Sequence, residues 1–417
     1  MPSQTETETA EAKARPAFYI PTIDISPYLR DPSSCAAGQV VEMVRAACIG
    51  TGFFQITGHG IAASLQEAVF AGSEAFFALG VEEKMKLDRS VSVGASNRGY
   101  EVIGGQGLQE DTLPDLKEKA NPNFPLPSQG FYIGHEIPAT DPRVLAHAFL
   151  VGPNLWPPLP RAVFRDPMTA YFGAMYELSL RIMELVAATL PYGREVFKGF
   201  VGPEAVASVR LLHYPPGKGE EGEAKGQLGA GAHTDFGAVT LLLQDGVGGL
   251  QVWDDGHGHG GKGAWVDVRP ERDAYVVNVG DMLQMLTEGR YKSGLHRVVN
   301  RSGRDRYSVP FFFDGNVDYM LRPLGAGGEE DRGGGRGRRG EEFQVVDGGR
   351  AYEGAVWEYV WKGGGEGRWG REFQGLIAWF GALVIRCEDL GFGNGHEQDI
   401  EGDASNHYSN RKTISIF

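Results

Sequence analysis

Cysteine is scarce in this sequence. Cys35, Cys48 and Cys387 are the only three in 417 residues, and they lie far apart. They make neither a disulfide framework nor a CxxC metal site, so the chain reads as a protein of a reducing compartment, the cytoplasm. No apolar run reaches the roughly eighteen residues of a membrane span. The first sixteen residues, MPSQTETETAEAKARP, lack the apolar stretch of a secretory signal. Positive charge is in deficit too. Lys and Arg number 40 against 54 Asp and Glu, a formal net charge of −14. That speaks against a nucleic-acid partner held on a basic surface. What remains is a chain with 41% apolar residues, enough for a sizeable core. It is expected to act as a monomer on a small molecule, with neither nucleic acid nor membrane as partner.

Residues 1–16 read as a disordered tail, polar and without periodicity. In residues 17–165, FYIPTIDISPYL carries a short strand pattern ending in a turn, and GFFQITGHGI reads as a buried strand. Between them Val40, Val41, Met43, Val44 and Ala47 fall at helical spacing ahead of a glycine stop. A second helix is expected over Ala63–Leu79. Residues 92–160 are rich in Gly, Pro and Asn without regular period, which is the signature of an irregular functional lid. Residues 166–322 open on the clearest helix, Asp166–Leu190, with Asp166 as its N-cap and Pro167 in its first turn. Its stripe of Phe172, Met175, Leu178, Ile182, Leu185 and Val186 is expected to be core. From residue 206 short strands follow one another across glycine turns, too closely spaced for crossover helices. They predict a mainly β fold with packed helices, a sandwich or barrel-like jelly roll. Residues 323–417 contain the low-complexity tract GAGGEEDRGGGRGRRG (325–340) and a C-terminal segment without a clear pattern.

The stretch GAHTDFGAVTLLLQD carries the chemistry. In extended chain, positions two apart share a face, so His233 and Asp235 can aim an imidazole and a carboxylate at one point. His296, in KSGLHRVVN, is the candidate third ligand. Two histidines and a carboxylate on one face of an octahedron are the facial triad that holds non-haem iron(II), with positions left for a co-substrate and dioxygen. Downstream, Arg306 and Ser308 alternate on one face of a strand in RDRYSVPFFF. A planar guanidinium beside a hydroxyl suits a carboxylate such as the far end of 2-oxoglutarate. Tyr214, in RLLHYPP, offers the same carboxylate a phenol hydrogen bond. Each residue alone has a bland reading as a core histidine, a salt bridge or a sheet aromatic. Their order and shared strand setting make a site.

The pattern HxD…H…RxS resembles the 2-oxoglutarate and iron(II)-dependent dioxygenases of the isopenicillin N synthase-like family. Within it the chain looks most like the fungal thymine 7-hydroxylase type, through RGYE, PDLKE, FYIGHE, RLLHYP, HTDFGAVTLLLQD, KSGLHRVV and RYSVPFFF. The resemblance covers roughly residues 18 to 322 and departs at an insertion, KANPNFPLPSQG, and beyond residue 360. It implies a double-stranded β-helix core with an N-terminal α/β region. Iron(II) would sit on His233, Asp235 and His296. 2-Oxoglutarate, anchored by Arg306, Ser308 and Tyr214, would become succinate and carbon dioxide while dioxygen oxidises a small organic substrate of secondary metabolism, most simply by hydroxylation. Phe236, Tyr100, Phe131 and Tyr132 are candidate substrate contacts, with Trp156 beside them in the lid. The rivals are a 2-oxoglutarate-independent iron oxidase like isopenicillin N synthase, a zinc hydrolase, and a non-catalytic binding protein on the same fold.

Overall fold

The computed structural model describes residues 18–103, 128–202, 205–216, 227–256, 263–319 and 321–324, and the backbone of three strands beyond them. The expected disordered tail, part of the lid (104–127), the glycine-rich tract and most of the C-terminal segment lie outside the described residues.

The chain opens with strand β1 (Thr22–Asp24), a short helix α1 (Ser26–Arg30), helix α2 (Cys35–Gly50) and strand β2 (Phe53–Thr57). Ser34 caps α2 by accepting from the Ala37 amide at 3.1 Å. Gly52, left-handed at φ 75°, closes it by donating to the Ala47 carbonyl. The buried stripe is Ala37, Val40, Val44, Ala47 and Cys48. Met43, expected with that stripe, is 45% exposed, because it falls at the stripe's edge. Helices α3 (Ala63–Phe77) and α4 (Val81–Met85) follow, then strands β3 (Gly99–Ile103) and β4 (Ser128–Gly134) and helix α5 (Pro142–Leu145). Helix α6 (Arg165–Ala188) buries all six residues of its expected stripe. Its cap position is Phe164, two residues before the expected Asp166, and makes no side-chain cap. Asp166 lies instead in the first turn, where a negative charge is favourable, and pairs with Arg161 at 3.0 Å.

The rest is strand: β5 (Ala205–Tyr214), β6 (Gln227–His233), β7 (Val239–Gln244), β8 (Leu250–Asp254), β9 (Ala264–Asp267) and β10 (Tyr275–Val279). A six-residue helix α7 (Asp281–Leu286) precedes β11 (His296–Asn300) and β12 (Arg306–Asn316). Eight strands form one sheet in the order β1-β2-β10-β7-β12-β5-β4-β3, and four form a second, β6-β11-β8-β9. All their pairings are antiparallel except β1 with β2. This is the jelly roll of the double-stranded β-helix. Three further strands, β13 (Glu342–Asp347), β14 (Trp357–Lys362) and β15 (Leu383–Cys387), form their own sheet.

Alternation along the large sheet sorts its residues. On β12, Val309, Phe311 and Phe313 join the core that the helices cover. Arg306, Ser308, Pro310 and Phe312 face the interior between the two sheets. That interior is packed by Phe53, Leu212 and Tyr214 from the large sheet and Leu250, Val252 and Val298 from the small one. Two segments of the expected irregular lid are sheet. β3 and β4 pair in register from Gly99↔Tyr132 to Ile103↔Ser128, and β4 continues onto β5. The glycines in GYEVI and SQGFYIG hide the alternation from a sequence reading. Among the described residues no helix is long and apolar enough to cross a membrane.

Candidate metal centre and cleft

His233 closes β6 and His296 opens β11, and the two are register partners across the small sheet. Their ring centroids are 4.2 Å apart. Asp235 is not on the strand: it lies two residues past its end, and the loop turns its carboxylate back between the imidazoles. Asp235 Oδ1 is 3.7 Å from His233 Nε2 and 3.6 Å from His296 Nε2. One ligand atom from each of the three lies within 4.8 Å of the others.

The surroundings fix which atoms face that point. His233 Nδ1 lies 2.8 Å from the Gly231 carbonyl, and His296 Nδ1 3.1 Å from that of Gly294. A carbonyl only accepts, so each Nδ1 carries the proton and each Nε2 offers its lone pair. Burial, followed by the neighbouring His296, lowers the His233 pKa and keeps that ring neutral. Asp235 Oδ2 accepts from Thr240 Oγ1 at 2.6 Å and from Asn278 Nδ2 at 2.8 Å, so that Oδ1 is the free donor. Burial raises this carboxyl, but His296, His233 and the two hydrogen bonds together bring it below its ordinary value. A neutral imidazole at His233 and an ionised carboxylate at Asp235 suit a divalent metal. Phe53 packs its ring edge-on against His296, centroids 5.4 Å apart. The backbone of the loop is pinned by the Asp281 amide, which donates to the Asp235 carbonyl at 2.8 Å.

From this cluster a cleft runs between the sheets to Arg306, Ser308 and Tyr214. Arg306 is 0% exposed. Its Nε donates to the Gly248 carbonyl at 2.5 Å, Nη1 to Ser308 Oγ at 3.1 Å and Nη2 to Gln244 Oε1 at 3.2 Å. The Tyr214 ring lies 4.8 Å from its Cζ, so Tyr214 meets the guanidinium with its ring face. The cleft thus has a metal-binding end and, at the other, a buried cation presented on a strand.

The aromatic candidates divide by strand parity. Tyr100 and Phe131 are register partners, and both point to the helix side. Phe131 packs on Phe76 at 4.4 Å and on Phe164 at 5.7 Å, and Tyr100 donates to Gln129 Oε1 at 2.9 Å. Neither lines the main cleft, and both belong to the helix-side core. Trp156 likewise donates to Glu136 at 3.0 Å under the Arg165 guanidinium. Tyr132, one residue further on β4, faces the other way, between the guanidinium groups of Arg89 and Arg210, each 4.9 Å from its ring. Tyr132 and Phe236 line a second, small cavity that shares Asp235 and Phe312 with the main cleft.

Several residues of the site escape a reading by motif. Thr240 and Asn278 hold Asp235, and Gln244 holds Arg306. Arg210 lines the cleft and is paired with Glu101. Each is a polar residue inside an otherwise apolar strand (VTLLLQ, YVVNV, AVASVRLLHY), a signal that is visible in the sequence but does not say which partner it serves.

Residues 205–315 match the model of the 2OG-Fe(II) oxygenase superfamily. Residues 20–159 match that of the non-haem dioxygenase in morphine synthesis N-terminal region. The chain is 50% identical over 311 residues to the 2-oxoglutarate-dependent dioxygenase citB of Monascus ruber, covering 74% of this chain and 88% of that one. It is 44% identical over 329 residues to the clavatol oxidase claD of Penicillium crustosum, covering 76% and 92%. Among solved structures, full-length T7H of Neurospora crassa in complex with α-KG and thymine superposes with a TM-score of 0.61 at 28% identity, covering 76% and 92%.

Proposed function

The chain belongs to the 2OG-Fe(II) oxygenase superfamily, and from that premise we propose that His233, Asp235 and His296 are its iron ligands and Arg306, Ser308 and Tyr214 its 2-oxoglutarate anchor. The activity is that of an iron(II)- and 2-oxoglutarate-dependent dioxygenase, which oxidises a small organic substrate while 2-oxoglutarate goes to succinate and carbon dioxide. The identity to 2-oxoglutarate-dependent relatives sets aside the oxidase and zinc hydrolase alternatives.

One observation supports the ligand assignment above the others: both imidazoles turn Nε2, and the aspartate turns Oδ1, toward one point, while every other polar atom of the three side chains is held by a neighbour. What iron(II) supplies when bound there is the activation of dioxygen, coupled to oxidation of the keto acid. The chain's own part is placement. Gly231 and Gly294 set the tautomers. Thr240 and Asn278 hold the carboxylate. Arg306, buried and fixed by Gly248 and Gln244, gives the distal carboxylate of 2-oxoglutarate a charged donor out of bulk water, where such a bond is strong. The apolar walls of Phe53, Leu242 and Val298 keep bulk water from the reacting groups.

Hydroxylation is the reaction we assign, on the likeness to T7H. The division into an N-terminal region (17–165), a catalytic core (166–322) and a C-terminal segment (323–417) belongs to the same reading. So do the monomeric state and the cytoplasmic location, which the free Cys35 and Cys48 support.

Equilibrium binding under anaerobic conditions tests the assignment. Wild-type protein is expected to bind one iron(II) per chain and then 2-oxoglutarate. Asp235→Ala should lose the iron. Arg306→Ala should keep it while 2-oxoglutarate binds about ten- to a hundredfold more weakly, the loss of roughly 1.5–3 kcal/mol expected for a hydrogen bond to a charged group. Undiminished iron binding by Asp235→Ala would refute the ligand set, and an unaltered 2-oxoglutarate affinity in Arg306→Ala would place the co-substrate elsewhere.

A further inference from the structure

The two histidines of the metal cluster stand at the ends of their strands, and the ladder between those strands is irregular where they meet. His296 pairs with His233, but the register of β11 on β6 shifts between His296 and Val298 and again between Val298 and Val299. A bulged ladder bends and twists its strands, so the sheet alone leaves the spacing of the two rings loosely set. The segments that lead out of β6 and into β11 need an anchor outside the sheet.

Helix α7 touches both segments. At its start the Asp281 amide donates to the Asp235 carbonyl at 2.8 Å and the Met282 amide to the Phe236 carbonyl at 3.1 Å. Asp281 Oδ2 accepts from Thr234 Oγ1 at 3.1 Å. These bonds hold residues 234–236, on the His233 side. Gln284 stands three positions after Asp281, on the same helix face, and serves the other segment. Its Oε1 accepts from the Ser293 amide at 2.7 Å. The Lys292 amide donates instead to the Cys48 carbonyl at 3.0 Å. Two successive amides are thus drawn to two different elements, which fixes the course of the chain into Gly294. There the backbone is closely packed: a Cβ on Gly294 would lie 2.8 Å from the Thr51 carbonyl and 2.6 Å from the Phe53 ring. The carbonyl of Gly294 is the one that holds His296 Nδ1, at 3.1 Å. Gln284 is itself fixed, since its own carbonyl accepts from the Gly289 amide at 2.8 Å.

We propose that Gln284 is a positioning residue of the iron site: through Ser293 and Gly294 it aims the His296 imidazole, and α7 thereby ties that aim to the segment carrying His233 and Asp235. The residue touches neither metal nor substrate. This rests on the iron-ligand assignment above.

The test uses full-length protein and two readouts. The first is iron(II) affinity without oxygen. Gln284→Met removes the acceptor at nearly constant length and is expected to weaken binding about tenfold, the effect of losing a group that orients a ligand. Gln284→Glu keeps an acceptor at the same reach and should stay within threefold of wild type. The second is proton NMR of the protein loaded with cobalt(II), in which each Nδ1–H of a ligating imidazole gives a shifted, exchangeable signal. The His296 signal is assigned through its Overhauser contact with the Phe53 ring. Gln284→Met should move that signal and leave the His233 signal in place, and Gln284→Glu should restore it. Wild-type affinity in Gln284→Met, equal displacement of both histidine signals, or failure of Gln284→Glu to restore the His296 signal would each overturn the proposal. If Gln284→Met does not fold, Gln284→Asn, which falls one methylene short of Ser293, takes its place with the same expectations. Wild-type protein that binds neither iron(II) nor cobalt(II) would instead sink the iron-ligand assignment, and this inference with it.

Discussion

Asp235 illustrates how much of the site one residue concentrates. Its Oδ1 faces both imidazoles, its Oδ2 takes two hydrogen bonds, and its carbonyl takes a third. The motif HxD made the residue visible in the sequence, but the reason given for it there needs correcting. Strand alternation is not what aims the carboxylate, since β6 ends at His233. The aim comes from the loop and from Thr240 and Asn278, which stand on two other strands. Thr240↔Asn278 are register partners on β7 and β10, so one sheet position presents both donors. Their loss should therefore be felt at the metal. Asn278→Ala is expected to weaken iron(II) affinity by about 10- to 100-fold, the usual effect of removing a group that orients a ligand, with helix and sheet content unchanged by circular dichroism. Thr240→Val should act in the same direction. Wild-type affinity in both variants would show that the loop alone positions the carboxylate.

At the scale of elements, the packing of α7 against the Asp235 loop is a tight constraint on the site. Gly280 precedes the helix, and a Cβ there would strike the Gly237 carbonyl and crowd that of Asp235 at 3.0 Å. Both obstacles are backbone, so nothing flexible can yield. Gly280→Ala should cost about 1–3 kcal/mol in stability, the range for overpacking, read as a lower urea midpoint, and should weaken iron binding alongside. A variant as stable as wild type would mean that the loop moves freely and that the carboxylate is not held through its backbone. The sequence announced this element only as VVNVGD, where the glycine reads as a strand end. Element parity was the other limit. The strands from β5 onward were legible because their apolar runs are continuous, but β3 and β4 were read as lid. With the period hidden by glycines, Tyr100, Phe131 and Tyr132 looked equivalent. In the fold one step of parity separates them: Phe131 is core and Tyr132 faces the second cavity.

For the whole molecule, every side chain assigned to iron, 2-oxoglutarate or the second cavity comes from residues 53–314. The large sheet gathers them by interleaving distant segments: β2 beside β10, β12 between β5 and β7. No sequence window of ordinary length contains that order, which is why the motif named the metal ligands while Phe53, Asn278 and Arg210 went unnoticed. The same distribution makes a statement about the low-complexity tract. Residues 325–340 follow the last cleft residue, and β12 is already fixed on both sides by β5 and β7. Excising 325–340 should thus leave iron(II) and 2-oxoglutarate affinities within about twofold, a change below roughly 0.4 kcal/mol, and leave succinate formation coupled to substrate oxidation. Calorimetry on the shortened chain reads the first and the ratio of succinate to oxidised product the second. Intact binding with succinate released in excess of product would show that the tract shields the cleft during turnover. Lost binding would mean that the interleaved sheet does not hold the site by itself.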